Sequence, residues 1–279
     1  MITETEHPAD KLGRLQHGRD EFEAIERKLA ELLIADCEAR VGQKYHAIVR
    51  EHVIDGAVEQ YVDCVRLPDL GKVVWQLQQG VLIVDTETTG LHPARGDRVV
   101  SVAALGVRLG WSFECAGDET DGYVVLKETL GWEVHETGRT LHRRVNPGRP
   151  SDPAAERIHG LTDLTGEPRF EEIAKEVQDF LEYATLLAHN APFDVDFLDC
   201  EFMRTGLLST MYEDVIDTRV ISKMLWPNES GSLDTLAKRL GVDRGDRDQQ
   251  HNALEDCRLL ARCLPGLIAA IKERLSNDD

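Results

Sequence analysis

The chain has 279 residues, 42% of them hydrophobic, enough to bury a sizeable core in one large or two modest domains. Its 30% charged residues and lack of any apolar run near eighteen exclude a membrane span, and the opening MITETEHPAD has neither the basic start nor the apolar stretch of a secretory signal, so the expected compartment is cytoplasmic. With 32 Lys and Arg against 51 Asp and Glu, the net charge of −19 argues against a broad surface neutralising duplex phosphates, but not against a cleft that holds a short strand end while cations offset its own carboxylates.

Residues 1–19 are polar. From Asp20 to Arg40, Phe22, Ile25, Leu29, Leu32 and Leu33 recur at three- and four-residue steps, which predicts an amphipathic helix. A second helix is predicted from about Lys44 to Arg66, interrupted near Gly56, with Leu67-Pro68-Asp69-Leu70-Gly71 as a break. Residues 1–79 therefore read as a small helical N-terminal extension, suited to self-association, to docking on a partner or to packing on its own chain.

At Val81 the character changes. Val81-Leu82-Ile83-Val84 is a continuous apolar run, as expected of a strand covered on both faces. Strand-like segments follow at about 98–108 and 132–145, the second with a turn at Thr137-Gly138-Arg139; the acidic stretch between them, at about 110–131, reads as an insertion. Helical patterns fill about 170–183, 193–205, 232–240 and 253–274, separated by short strands at Leu186–Ala188 and Val215–Ile216. This order predicts one α/β domain over 80–279, a sheet layered with helices. The six cysteines lack a C-x-x-C pair and read as buried small hydrophobes rather than zinc ligands or disulfides.

Three acidic sites stand out. Asp85 and Glu87 follow the apolar strand two residues apart, so both side chains leave the same face at its carboxyl end. Two anions held side by side call for a counter-charge, and an all-oxygen shell favours magnesium or manganese. A solvated strand end is the alternative. Asp194 stands in the opening turn of a helix that Pro192 begins, where acids also occur simply to complement the helix dipole. Asp256 precedes the apolar stripe Leu259, Leu260, Cys263, Leu264, Leu267 and Ile268, so it faces inward and needs a partner; His251 joins it only from the loop before that helix.

Asp85-Thr86-Glu87-Thr88-Thr89-Gly90-Leu91 after an apolar strand, then His189-Asn190-x-x-Phe193-Asp194, then His251-x-Ala253-Leu254-x-Asp256, resembles the DnaQ-like 3′–5′ exonucleases of the DEDDh type. Within them it looks most like the group of the epsilon proofreading subunit of bacterial DNA polymerase III and its stand-alone relatives. The resemblance covers about 80–272 and includes Val145-Asn146-Pro147, Ile158-His159-Gly160-Leu161-Thr162 and Ser232-Leu233-Asp234-Thr235-Leu236. It implies a ribonuclease-H-like mixed sheet with helices on both faces. It also implies two divalent cations, Mg²⁺ or Mn²⁺, on Asp85, Glu87, Asp194 and Asp256, with His251 as general base.

In that resemblance Asp85, Glu87 and Asp256 surround the ion that activates the attacking water. Asp85 and Asp194 face the departing 3′ oxygen, and His251 takes the proton. Thr88-Thr89-Gly90 would offer backbone N–H groups to the terminal nucleotide; Leu91 and Phe193 correspond to an apolar wedge and wall around the last base, and Asn190 joins these substrate contacts. His159 and His189 read as structural, Asp217 and Asp234 as cap or turn acids. The extension 1–79 and the insertion have no counterpart in the minimal domain. Where an Arg commonly stands three residues before the catalytic His, this chain has Asp248, with Arg247 one step further away.

The implied function is a metal-dependent 3′–5′ exonuclease on single-stranded DNA 3′ ends, releasing nucleoside monophosphates in proofreading or repair, with a DNA polymerase or another replication or repair protein as partner. An exoribonuclease of the same fold is the alternative, since no residue reports recognition of a 2′-hydroxyl. A noncatalytic replication-associated subunit that docks through 1–79 is a third reading, and the complete set of acids argues against it.

Overall fold

Residues 45–66, where the periodicity predicts a second helix, form an antiparallel hairpin of β1 (Tyr45–Ile54) and β2 (Ala57–Arg66). The reason lies in composition. β-Branched Ile48, Val49, Val53, Ile54, Val58, Val62 and Val65 crowd both runs, and Ile54 pairs with Ala57 across Asp55-Gly56, a dipeptide favoured in two-residue hairpin connections. The computed structural model describes residues 45–54, 57–66, 68–117, 124–207, 215–245 and 251–277, with side chains from residue 68 onward except at 111–131 and 277. The helix predicted over 20–40 lies outside the described residues.

The chain divides into two units, Met1–Leu67 and Pro68–Asp279. The second begins with α1 (Leu70–Gln79), whose N-cap Asp69 accepts the N–H groups of Gly71 and Lys72 at 2.9 and 3.1 Å. Leu70, Val73 and Leu77 of this helix are buried in the core of the second unit. Residues 68–79 thus pack with the sheet of this unit.

The sheet has five strands in the order β5-β4-β3-β6-β7: β3 (Val81–Thr88), β4 (Val99–Gly117), β5 (Val124–Arg144), β6 (Leu186–Ala188) and β7 (Val215–Asp217). β3 is central, antiparallel to β4 and parallel to β6, which in turn runs parallel to β7. Alternate β3 residues go to opposite faces. Val81 and Ile83 join one apolar cluster with Leu105, Val107 and the stripe of α7 (Ala253–Asn277), whereas Leu82 and Val84 join a second with α3 (Phe170–Leu181) and α4 (Ala191–Thr205). Two covered faces are why this strand reads as an unbroken apolar run rather than an alternating one. The result is the expected mixed sheet flanked by helices. The remaining helices are α2 (Pro153–His159), α5 (Thr218–Leu225) and α6 (Leu233–Arg239).

β4 and β5 continue beyond the sheet as a two-stranded ribbon, paired out to Gly117 and Val124. Much of the stretch read as an insertion is therefore the far half of these two strands. The expected turn at 137–139 is instead an irregularity within β5: Leu105 pairs with Thr140 and Val107 with Glu136, so Thr137, Gly138 and Arg139 lie opposite Gly106. Gly138 takes a φ of 81°, and a Cβ on Gly106 would stand 2.9 Å from the Cβ of Arg139. Among the described residues no helix is long and apolar enough to cross a membrane.

Candidate active site

β3 carries Asp85 and Glu87 to its carboxyl end, Asp85 half-buried and Glu87 buried. Thr86, between them, points to the opposite face of the pleat and does something the sequence did not indicate. Its backbone N–H and its hydroxyl both donate to Oδ1 of Asp194, each at 2.8 Å. Asp194 is buried in the first turn of α4, and this pair of hydrogen bonds ties that turn to the middle of the acidic triplet. Burial drives the Asp194 carboxyl up to about 7; the two Thr86 bonds oppose the shift and the charge of Asp217 adds to it.

The chain enters α4 through Asn190, held in the left-handed region at φ 81°. Its N–H donates to Oδ1 of Asp217 at 3.1 Å, and its side-chain Oδ1 accepts from Nη1 of Arg219 at 2.9 Å. Asp217 also caps α5 by accepting from the N–H groups of Arg219 and Val220. The same acid therefore sets the start of both helices.

His251 lies on the loop before α7, as its spacing from Asp256 requires. Its N–H donates to the Ile158 carbonyl at 2.9 Å, and its Nδ1 stands 3.6 Å from Oδ2 of the buried Asp256. Asn252 starts the helix by accepting the N–H of Leu254 at 3.1 Å. One ligand atom from each of Glu87, His251 and Asp256 lies within 4.8 Å of the others. Behind them is the buried thiol of Cys257, pushed well up by burial first and then by the charges of Asp85, Asp194 and Asp256. Glu87, His251 and Asp256 thus meet at one spot, and Asp85 and Asp194 are near enough for their charges to act on the Cys257 thiol beside it. Converging, largely desolvated carboxylates with one imidazole form a donor set that fits a hard divalent cation, because the ion offsets their mutual repulsion.

The loop after β3 is organised by Asp97, a buried acid the sequence reading passed over. It accepts from the Thr89 hydroxyl at 3.1 Å and from the His92 N–H at 2.9 Å, and pairs with Nη1 of Arg149 at 3.1 Å. Gly90 is required by this approach: a Cβ there would meet the Asp97 carboxyl carbon at 2.7 Å. The Thr88 hydroxyl donates to the Gly90 carbonyl at 2.6 Å. Leu91 is 71% exposed at the loop's edge, whereas the half-buried Phe193 stands 4.9 Å from the Phe197 ring.

The other singled-out polar residues are structural. Both ring nitrogens of His189 are engaged, Nδ1 with the Thr218 hydroxyl at 3.0 Å and Nε2 with the Gly231 carbonyl at 2.8 Å. Asp234 pairs with Nη1 of Arg244 at 3.5 Å. Cys200, Cys257 and Cys263 are free thiols.

An acidic pair on the central strand, an acid on each of two helices and a loop histidine stand where the sequence motifs of the DnaQ-like exonucleases lead one to expect them. Residues 82–264 match the RNase_T exonuclease family, and the chain belongs to that family. Among its relatives, the DNA polymerase III subunit epsilon of Pasteurella multocida is 41% identical over 188 residues, and that of Haemophilus influenzae 34% over 187 residues. Each alignment covers 64% of this chain and 64% of the relative, so the chain spans just under two thirds of the length of these curated relatives. A solved structure of exonuclease X in complex with 5′ overhanging duplex DNA is 25% identical, covers 67% of this chain and 90% of that one, and superposes with a TM-score of 0.42.

Proposed function

We propose that this protein is a metal-dependent 3′–5′ exonuclease that removes nucleoside monophosphates from single-stranded DNA 3′ ends, working in the cytoplasm alongside a DNA polymerase. The observation that carries the reading is the convergence of Glu87, His251 and Asp256 within 4.8 Å, with Asp194 bonded to Thr86 beside them. The role beside a polymerase rests on relatives that are subunits of DNA polymerase III.

In this reading Asp85, Glu87, Asp194 and Asp256 hold Mg²⁺ or Mn²⁺. What the ions contribute there is positive charge, which lowers the pKa of the attacking water and neutralises the scissile phosphate. His251, on its loop and a third exposed, is reached by solvent and accepts the proton of that water. Oδ2 of Asp256 stands 3.6 Å from the histidine's Nδ1. Asp194 is held by two donors on Thr86 and keeps its position as charge changes around it. Thr88, Gly90 and the exposed Leu91 present the β3 loop to the terminal nucleotide, with Asn190 and Phe193 on the α4 side.

The test is digestion of 5′-labelled oligonucleotides, DNA and RNA in parallel, with Mg²⁺, Mn²⁺ or chelator. Stepwise shortening from the 3′ end of DNA that needs a divalent ion and vanishes in Asp85→Ala is expected. RNA cleaved faster than DNA would reassign the substrate, and no metal-dependent shortening of either would overturn the proposal.

A further inference from the structure

β5 ends in two consecutive arginines, and because neighbouring side chains on a strand alternate, they leave opposite faces of the sheet. Arg143 stands opposite Val102, whose side chain lies in the apolar cluster shared with α3 and α4. Its guanidinium is used there. Nε donates to Glu176 of α3 at 3.2 Å, Nη2 donates to the same carboxylate, and Nη1 donates to the His142 carbonyl at 3.0 Å.

Arg144 goes the other way. It stands opposite Ser101 of β4, and Ser101 stands opposite Glu87 of β3. Paired residues share a face, so Glu87, Ser101 and Arg144 form one row across the face that carries the catalytic acids. Asp85, Ala103 and His142 form the row beside it. Ser101 is buried, and its hydroxyl meets Nε2 of His142 at 3.2 Å. Arg144 is exposed, and among the described residues it forms no hydrogen bond or ion pair.

That placement matters in a chain of net charge −19. Asp85 and Glu87 repel an incoming polyanion, and cations held at the acids offset this only around the scissile phosphate. The phosphates that follow it need a positive group of the protein's own. A guanidinium suits one, since it forks onto two phosphate oxygens and stays charged. Arg144 lies two strand spacings, about 10 Å, from Glu87 along the row. We propose that Arg144 binds a backbone phosphate on the 5′ side of the scissile one, so that the far edge of the sheet holds the body of the strand while the acids act on its end. This inference rests on the exonuclease reading above.

The test uses the full-length protein with Mg²⁺ and a 5′-labelled single-stranded DNA. Arg144→Gln should raise KM about tenfold and leave kcat within about twofold, because a contact made equally before and during the reaction changes binding alone. Arg144→Lys, which keeps the charge, should recover part of the loss. The weakening of binding with KCl should flatten in Arg144→Gln by about 0.7 in log–log slope, the share of one phosphate on a single strand. On DNA whose phosphates 5′ of the scissile one are uncharged methylphosphonates, wild type and Arg144→Gln should share one KM. The mononucleotide dAMP, which lacks those phosphates, should bind both proteins alike by calorimetry, and their Tm values should agree, as for other exposed positions. A KM unchanged in Arg144→Gln, an equal loss on charged and uncharged strands, or a matching loss of dAMP affinity overturns the role of Arg144 and leaves the exonuclease reading in place. A wild-type protein that hydrolyses no oligonucleotide removes that reading itself, and this inference with it.

Discussion

Asp194 is where burial and charge conflict most directly. A carboxyl that binds its proton more tightly when folded, up to about 7 against 3.8 for the ordinary group, contributes stability that is present below the ordinary value and is lost as pH rises through 7. Asp194→Asn keeps an Oδ1 that accepts both Thr86 bonds and carries no charge. In chelator, the variant should therefore gain on the wild type as pH climbs from about 4 to about 7, by at most about 4 kcal/mol, and hold that advantage above it. Divalent ions, which favour the ionised wild-type carboxylate, should shrink the gap. Thermal unfolding across this range checks it; parallel curves for the two proteins would refute it. His251→Ala should lose about 10²- to 10⁴-fold in turnover while retaining oligonucleotide binding, measured by anisotropy; undiminished turnover would remove His251 from proton transfer. The residue types at both positions were legible in sequence because the motif spacing isolates them. The bonds that set their behaviour were not, since Thr86 and Asp194 are 108 residues apart.

Between elements, α4 is also joined to the start of β4 by an ion pair that no local pattern announces. Glu201, on α4 and fully buried, receives Nε and Nη2 of Arg98 at 2.7 and 2.8 Å, and accepts the Val99 N–H at 3.0 Å where β4 begins. Arg98 also reaches Glu171 on α3. Removing one partner leaves the other charge enclosed, so Glu201→Ala should cost about 3–5 kcal/mol by denaturant unfolding, and Arg98→Met/Glu201→Leu less than the two single changes together. Strictly additive losses would show the pair to be uncoupled. The hairpin over 45–66 teaches the complementary lesson. Short apolar runs satisfy a helical and an extended period alike, and there β-branching and Asp55-Gly56 were the better guides. The helices α2 and α5 escaped the sequence reading because each is short, only seven and eight residues, too brief to build a periodic stripe.

For the whole molecule, the unit Pro68–Asp279 has its own two-faced core and contains every residue assigned to the site. Deleting residues 1–67 should therefore leave metal-dependent shortening of DNA within about threefold of the full chain, because the second unit buries its apolar faces within itself. Size-exclusion chromatography of the two forms then reads whether the removed segment drives self-association. Loss of folding in the shortened chain, seen by circular dichroism, would show that the second unit depends on the first.

From its residues alone, the chain determined a central strand sealed on both faces, the helix stripes that cover it and the family to which its motifs belong. Hydrophobic period and capping chemistry are local, and an ordered set of motifs survives whatever separates them. Only the tertiary structure decided that Asp194 is bound to Thr86, that Asp97 dictates a glycine at position 90 and that α2 and its N-cap reach both Thr89 and His251. Those are contacts between distant segments, and the burial that gives such charges their strength exists only once the segments have packed.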